Sequence, residues 1–540
     1  MYSGGIRPDR QSSSSAIVSL DRKRSPIIRS AAEALASEGW SGMTLASVAR
    51  SVGLSTTPIQ ARFPSRGLMA AAVWDEIAGP ALLASLEEVL AAAGLMEASS
   101  NPPRVAPDAE PLLQQDLHGR ISTALNAAGL APEVLLAVSD NAKSTVAALG
   151  GAEALALLRE GVSVTLKAAL ELDDIAVKAR GPSATRLTRA LEHFVRPGTE
   201  LRAASELLVM SQFDSALAES VQAEVGEVVA TWCSPKRKNR RRRTHEEVNE
   251  IEARGQQSAV AAARRTFLVA TALGLLFATE RAGVSALDLF GEAELLMAAL
   301  AVRIQPGSMP SSRGGHLETS LHFDTGDAAL DALLQATLEE VARVGYDAAT
   351  TSGIGRAAGR SEGLIFARYP SKVEMFADAS ARQTAKGWRE NEAFAHRINE
   401  THAPGMADAV LMREIMRPDL RHVRAASLEH LRLARHDDRL REVLWSELDK
   451  LVADELSRDP NWERGSSAAH LHMSVALGLG VTVLPLLAPD AWQLPFHHVT
   501  ILLSGQTIPL GGQSLDVPGR DVGDRPGAVK GGAPPLGGGV

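Results

Sequence analysis

Apolar residues near the start of the chain recur at helical rather than strand spacing. Ile27, Ile28, Ala31, Ala32, Leu35 and Ala36 fall on one face of a helix, following the i, i+3, i+4 rhythm of a 3.6-residue period. Ser25 and Pro26 stand before them as an N-cap and a first-turn proline, and Gly39 closes the helix in a left-handed conformation. A later stretch repeats the pattern with Leu333, Leu334, Thr337, Leu338, Val341 and Ala342, closed by Gly345.

Two short helices follow each long one. Thr44 or Thr350 caps the first, which points Val48 or Ile354 inward. Gly53 or Gly359 then permits a sharp turn, since a Cβ there resists positive φ. Ser55 or Ser361 caps the next helix, which carries Ile59 or Ile365 inward and ends at Phe63 or Tyr369. Pro64-Ser65 and Pro370-Ser371 restart the chain into a fourth helix, where Ser371 and Glu374 form a capping box.

The two stretches form an ungapped repeat at an offset of 306. Thr44/Thr350, Arg50/Arg356, Gly53/Gly359, Ser55/Ser361, Ile59/Ile365, Arg62/Arg368, Pro64/Pro370 and Ser65/Ser371 are identical pairs. A helix, a tight turn and a second short helix place a recognition helix in the DNA major groove. A generic helical hairpin explains one such copy; two copies with the same caps, turn glycine and terminal cations favour DNA.

On that reading Thr56, Thr57, Pro58, Gln60 and Ala61 face base edges, and glutamine can pair bidentately with adenine. Thr44, Arg62 and Arg66 touch phosphate and set register, with Ser55 at the helix start. The second copy offers Thr350, Ser361, Glu362, Gly363, Leu364, Phe366, Arg368 and Lys372. Arg22, Lys23 and Arg24 supply a basic arm.

These residues resemble the tetracycline-repressor (TetR) family of bacterial regulators. The first copy carries the resemblance in Thr44, Val48, Ala49, Gly53, Leu54, Ser55, Phe63, Ser65, Arg66 and Met69. The second carries it in Thr350, Ile354, Gly359, Ser361, Tyr369, Ser371, Lys372 and Met375. The resemblance covers about 45 residues per copy. It implies an all-α fold, with a three-helix DNA-binding unit followed by a helical domain that binds a small-molecule effector and dimerises through its last two helices. Two departures stand out. The family's recognition-helix tyrosine is Gln60 in the first copy and Phe366 in the second. The hydrophobic residue after the turn glycine is Leu54 in the first copy but Arg360 in the second.

The bodies downstream also match. RALEHFVRPGTELRAASELL from Arg189 resembles VLMREIMRPDLRHVRAASLEHL from Val410, and ALGLLFA at Ala272 resembles ALGLGVT at Ala476. The expected architecture is therefore two tandem copies of a three-helix DNA-binding unit and a helical effector/dimerisation domain. Residues 1–22 form a disordered tail and 23–70 the first unit. The first body spans 71–304 with insertions, and 305–326 is a linker. The second unit spans 327–376, its body 377–505, and 506–540 form a disordered tail.

Composition adds three bounds. Of 540 residues 45% are hydrophobic but only 4% aromatic, which suits Ala/Leu-rich helix packing better than a β-sandwich. The single Cys233 rules out an intramolecular disulfide and argues against a cysteine metal site. The apolar stretches Phe267–Ala278 and Met473–Ala488 read as core helices, not bilayer spans of about 20 residues. With no signal-peptide pattern, a cytoplasmic location and no membrane partner are expected.

The net charge of −8 does not suggest a nucleic-acid binder, so local charge decides. Residues 21–66 hold seven Lys or Arg against three acidic residues, whereas 324–372 hold five against seven. Because phosphate neutralisation supplies much of DNA affinity, the first unit is the expected DNA binder, and the second is weak or structural.

Other signals are blander. The basic run Lys236–Arg243 reads as a solvated insertion. Gly353, Gly355 and Gly359 belong to the turn, not to a dinucleotide loop. His470 with His472, and His497 with His498, lack metal-ligand spacing. No catalytic arrangement, metal or cofactor is indicated, so an enzyme is not expected. The expected function is a sequence-specific DNA-binding transcriptional regulator, a repressor released by a small-molecule effector, acting as an intramolecular pseudo-dimer or a homodimer. The alternative is a ligand-sensing or scaffold protein with degenerate DNA-binding heads.

Overall fold

In the computed structural model the described residues are 10–96, 182–234, 245–278, 293, 296–297, 316–400, 406–458, 468–494 and 496, and their regular elements are all helical. The first half opens with α1 (Arg10–Gly42), which buries Ile27, Ile28, Ala31, Ala32 and Leu35. Pro26 lies inside α1 rather than opening it, so the helix begins upstream of the expected tail boundary at residue 22. Proline's fixed φ is itself helical, and its cost is a lost backbone hydrogen bond and local crowding, which a helix survives. Gly39 has φ 71° and turns the chain at the end of the regular helix.

The rest of the first unit is α2 (Leu45–Ser51), α3 (Thr56–Arg62) and α4 (Arg66–Val73). A π-helical turn at Trp74–Ala78 leads into α5 (Gly79–Ala92). The first body continues with α6 (Pro182–Val195), α7 (Thr199–Met210), α8 (Ser215–Val221), α9 (Glu227–Trp232) and the long α10 (His245–Ala278).

The second unit is α11 (Ala328–Val344), α12 (Thr351–Ala357), α13 (Glu362–Arg368) and α14 (Lys372–Asn399). Its body holds α15 (Met406–Ile415), α16 (Arg421–Leu433), α17 (Asp438–Arg458) and α18 (Ala468–Val483). Every bound of α12 and α13 falls 306 positions after that of α2 and α3. Gly53 and Gly359, the turn glycines, have φ 66° and 64°.

The halves also pack alike. α1 lies on α7 as α11 lies on α16, α4 on α8 as α14 on α17, and α5 on α6 as α14 on α15. The most extensive helix pair is α10 against α18, which joins the halves. A Cβ on Gly274 would run into the Ala476 carbonyl, and one on Gly480 into the Ala270 carbonyl. The helices therefore cross with their backbones in contact, an approach only glycine permits. Ala476, Val481 and Leu484 share one apolar core with Leu268, Leu273 and Leu276.

Two helical stretches, Arg66–Ala92 and Ser258–Ala278, are long and apolar enough to cross a membrane. Both are largely covered by protein, with 56% and 78% of their most apolar windows buried.

The expected linker is packed at its C-terminal end: Leu317, Leu321 and Phe323 are buried. Their apolar side chains cover the second unit and its body, a role that loop composition alone does not disclose. The insertion around 92–185, apart from its two ends, the basic run Lys236–Arg243, residues 305–315, His497, His498 and the tail 506–540 lie outside the described residues, as do the side chains of Arg22, Lys23, His470 and His472.

Candidate nucleic-acid interface

The first recognition helix, α3, is anchored by Ile59, which is fully buried, and by Phe63 at its C-terminal end. Anchoring on one side leaves Thr56, Thr57, Gln60 and Ala61 exposed on the other, with Pro58 and Arg62 half-buried. Thr44 and Ser47 form a reciprocal capping box, with N–H to Oγ distances of 2.9 and 3.0 Å, which fixes the start of α2. Ser55 begins α3 without a side-chain cap, unlike Ser361, whose Oγ accepts from Leu364 N–H. Arg50 and Ser55 are both exposed on this surface.

The second recognition helix, α13, has the same frame and a different face. Ile365 and Tyr369 anchor it, while Glu362, Gly363, Leu364, Phe366 and Arg368 are exposed. Leu364 and Phe366 are each 51% exposed, so this helix presents hydrocarbon where α3 presents amide and hydroxyl. Arg368 is engaged by Asp327 at 2.8 Å. Thr350 caps α12 by accepting from Gly353 N–H.

The terminal cations lie back on the frame. Arg66 stacks over the Trp40 ring at 4.5 Å and donates to the Trp40 carbonyl. Lys372 sits 4.0 Å from the Tyr346 ring centre and donates to the Tyr346 and Ala349 carbonyls at 2.8 and 2.9 Å. Partial burial pushes the pKa of both cations down. Arg24 is likewise engaged, by Glu76, and lies over the Phe63 ring.

Behind the heads lies a buried ionic network absent from the sequence reading. Glu206 on α7 accepts from Trp40 N–H at 2.7 Å, and Glu429 on α16 accepts from Tyr346 N–H at 2.7 Å. Each carboxylate thus satisfies a backbone donor just past the glycine that ends a head's first helix. Arg432 bridges the halves: it pairs with Glu206 at 2.8 Å, with Glu429 at 2.8 Å and with Asp347 at 2.9 Å. Burial pushes the Glu206 carboxyl up, but Arg432 and then His436 outweigh it and hold it at about 2.

The heads also meet directly, since Ser41 Oγ donates to the Asp347 carboxylate, its counterpart 306 positions on. A Cβ on Gly39 would strike the His436 ring from the other body, and one on Gly345 would press on the Phe213 ring. Each head is therefore held by a glutamate of its own body and a ring of the other. The matching RAAS segments at Arg202 and Arg424 point to α7 and α16, but the two glutamates fall one residue out of step with that match. That slip hid their equivalence.

Residues 333–379, covering most of the second unit, match the family described as bacterial regulatory proteins, tetR family. The match supports membership in that family. No curated protein matches the chain.

Proposed function

We propose that this chain is a sequence-specific DNA-binding transcriptional regulator in which one polypeptide supplies both reading heads. The observation that carries the reading is the pair of recognition helices, α3 and α13. Each is buried on one side by a single isoleucine and an aromatic end and exposed on the other. The tetR-family match across the second head supports the same assignment.

The tandem arrangement is a duplication in this reading, supported by the constant offset of helix bounds and by the repeated packing partners. Head-to-head contact and the α10–α18 crossing favour an intramolecular pseudo-dimer. Such a molecule reads an asymmetric operator, because Thr56, Thr57 and Gln60 offer polar readout whereas Leu364 and Phe366 offer apolar contact to thymine methyls. The first head carries more of the phosphate attraction, since residues 21–66 hold seven Lys or Arg against three acidic residues whereas 324–372 hold five against seven. Regulation is repression, relieved when an effector prefers a different arrangement of the heads.

Selection of bound fragments from a random duplex library tests the proposal with the full chain. The expected product is a non-palindromic site whose halves lie about one helical turn, roughly 34–36 Å, apart. A bound pool no more enriched than that of Gln60→Ala/Arg62→Ala protein overturns it.

A further inference from the structure

The long helix α14 changes character halfway along. Its inward residues Met375, Phe376 and Ala379 belong to the apolar core beneath the second head. Its later inward residues Phe394 and Ile398 belong to a separate apolar cluster with Ala407 and Val410. Between these clusters the same face carries Ser380, Gln383, Gly387 and Glu390, at the three- and four-residue spacing that keeps side chains on one side of a helix.

This middle stretch is polar, buried at Ser380 and Gln383 and half-buried at Gly387 and Glu390. Ser380 is 5% and Gln383 6% exposed, yet among the described residues Ser380 Oγ and Gln383 Oε1 have no hydrogen-bond partner. Glu390 gives one oxygen to Lys386 Nζ at 2.9 Å, and its buried Oε2 has none. A Cβ built at the half-buried Gly387 meets no atom within 4 Å, so the stripe opens there.

A buried acceptor without a donor costs stability, and three on one helical stripe compound that cost. The carbonyl of Gln383 and the carboxylate of Glu390 can only accept, and Ser380 can accept or donate. The missing partner must therefore bring donors. We propose that this stripe of α14 binds a small organic molecule bearing N–H donors, an amine in the first instance, which enters beside Gly387. The apolar clusters at either end receive its hydrocarbon part. Binding is argued from α14 alone; only its consequence for DNA rests on the regulator reading above.

Isothermal titration of the full chain with benzylamine, and with toluene and benzoate as probes of similar size lacking N–H donors, tests the site. Benzylamine is expected to bind while the other two do not. Gln383→Leu and Gly387→Leu should each weaken it by about tenfold or more. Both variants should remain folded, with a melting temperature equal to or above the parent's, because one removes a buried orphan carbonyl and the other fills open space. Benzylamine binding no better than toluene or benzoate overturns the site, as does binding unchanged in both variants. A lower melting temperature in Gln383→Leu also overturns it, since the carbonyl would then hold structure. Anisotropy of a selected DNA fragment in the same samples separates the two proposals: intact DNA binding without amine binding removes the site alone, and the reverse removes the regulator alone.

Discussion

Arg432 on α16 reaches across the molecule to Glu206 on α7 at 2.8 Å, and both side chains are 1% exposed. This ion pair joins the two halves at the point where each head's first helix ends. Because Glu206 also accepts from Trp40 N–H, and Glu429 from Tyr346 N–H, the charges that hold the halves together also position the heads.

Breaking the network from one side should be severe. Arg432→Met leaves Glu206 and Glu429 buried together without their cation, a loss of about 3–5 kcal/mol. Urea unfolding should register it as a lower midpoint. Adding Glu206→Gln to Arg432→Met removes one orphan charge while keeping an acceptor for Trp40 N–H, so the double variant should be more stable than Arg432→Met alone. Additive losses would mean that the pair does not act as a unit.

Acid should weaken the fold in two windows. His430 is buried, and its Nε2 donates to the Leu440 carbonyl at 3.0 Å; burial pulls its pKa down to about 4. Its neutral form is favoured in the fold, so stability is full above the usual histidine value near 6.5. Stability then falls as the unfolded chain takes up protons, and the loss, of order 3 kcal/mol, is complete near pH 4. Glu206 acts lower: its stabilisation is present above the usual carboxylate range and fades as pH drops toward about 2. Stability curves from pH 7 to pH 4 should flatten in His430→Asn; an unchanged slope would assign the loss elsewhere.

The crossing of α10 and α18 should tolerate no side chain. Gly274→Ala places a methyl against the Ala476 carbonyl, and the helices must separate along a contact that joins the halves. A loss of about 2–4 kcal/mol is expected, as for overpacked or displaced core contacts. Gly387→Ala is the control, since nothing obstructs its Cβ, and it should gain about 0.5–1 kcal/mol of helix stability. Thermal unfolding of the two variants should move in opposite directions.

The recognition helices should separate readout from attraction. Gln60→Ala should cost about 1–3 kcal/mol on the selected operator and leave the salt dependence of binding unchanged. Arg62→Ala should weaken binding to all sequences and reduce the salt slope by about 0.9. Titrations at several salt concentrations check both. A Gln60→Ala protein that loses equal affinity for every sequence would show that this glutamine does not read bases.

Phe366→Ala should lower affinity for one half-site only, because it is 51% exposed on α13 and its counterpart in the first head is polar. Footprinting on the selected operator should show weakened protection confined to that half. Symmetric weakening would contradict the asymmetric reading.

Periodicity and turn chemistry alone determined the heads: the capping threonines, the turn glycines and the inward Val48, Ile59, Ile354 and Ile365 depend on neighbours within a few residues, so local sequence specifies them. The sequence also marked Thr56, Thr57 and Gln60 as surface residues of α3, since a short helix anchored by one isoleucine must expose its opposite side. Tertiary structure decided what no local pattern encodes. It folded Arg66 over Trp40 and Lys372 over Tyr346, and engaged Arg368 with Asp327. It also brought Glu206, Asp347 and the helical pair Glu429 and Arg432 together from three distant segments. An isolated glutamate in a helix reads as solvated until the partner that makes its burial possible is in place, and that partner, Arg432, lies 226 residues from Glu206.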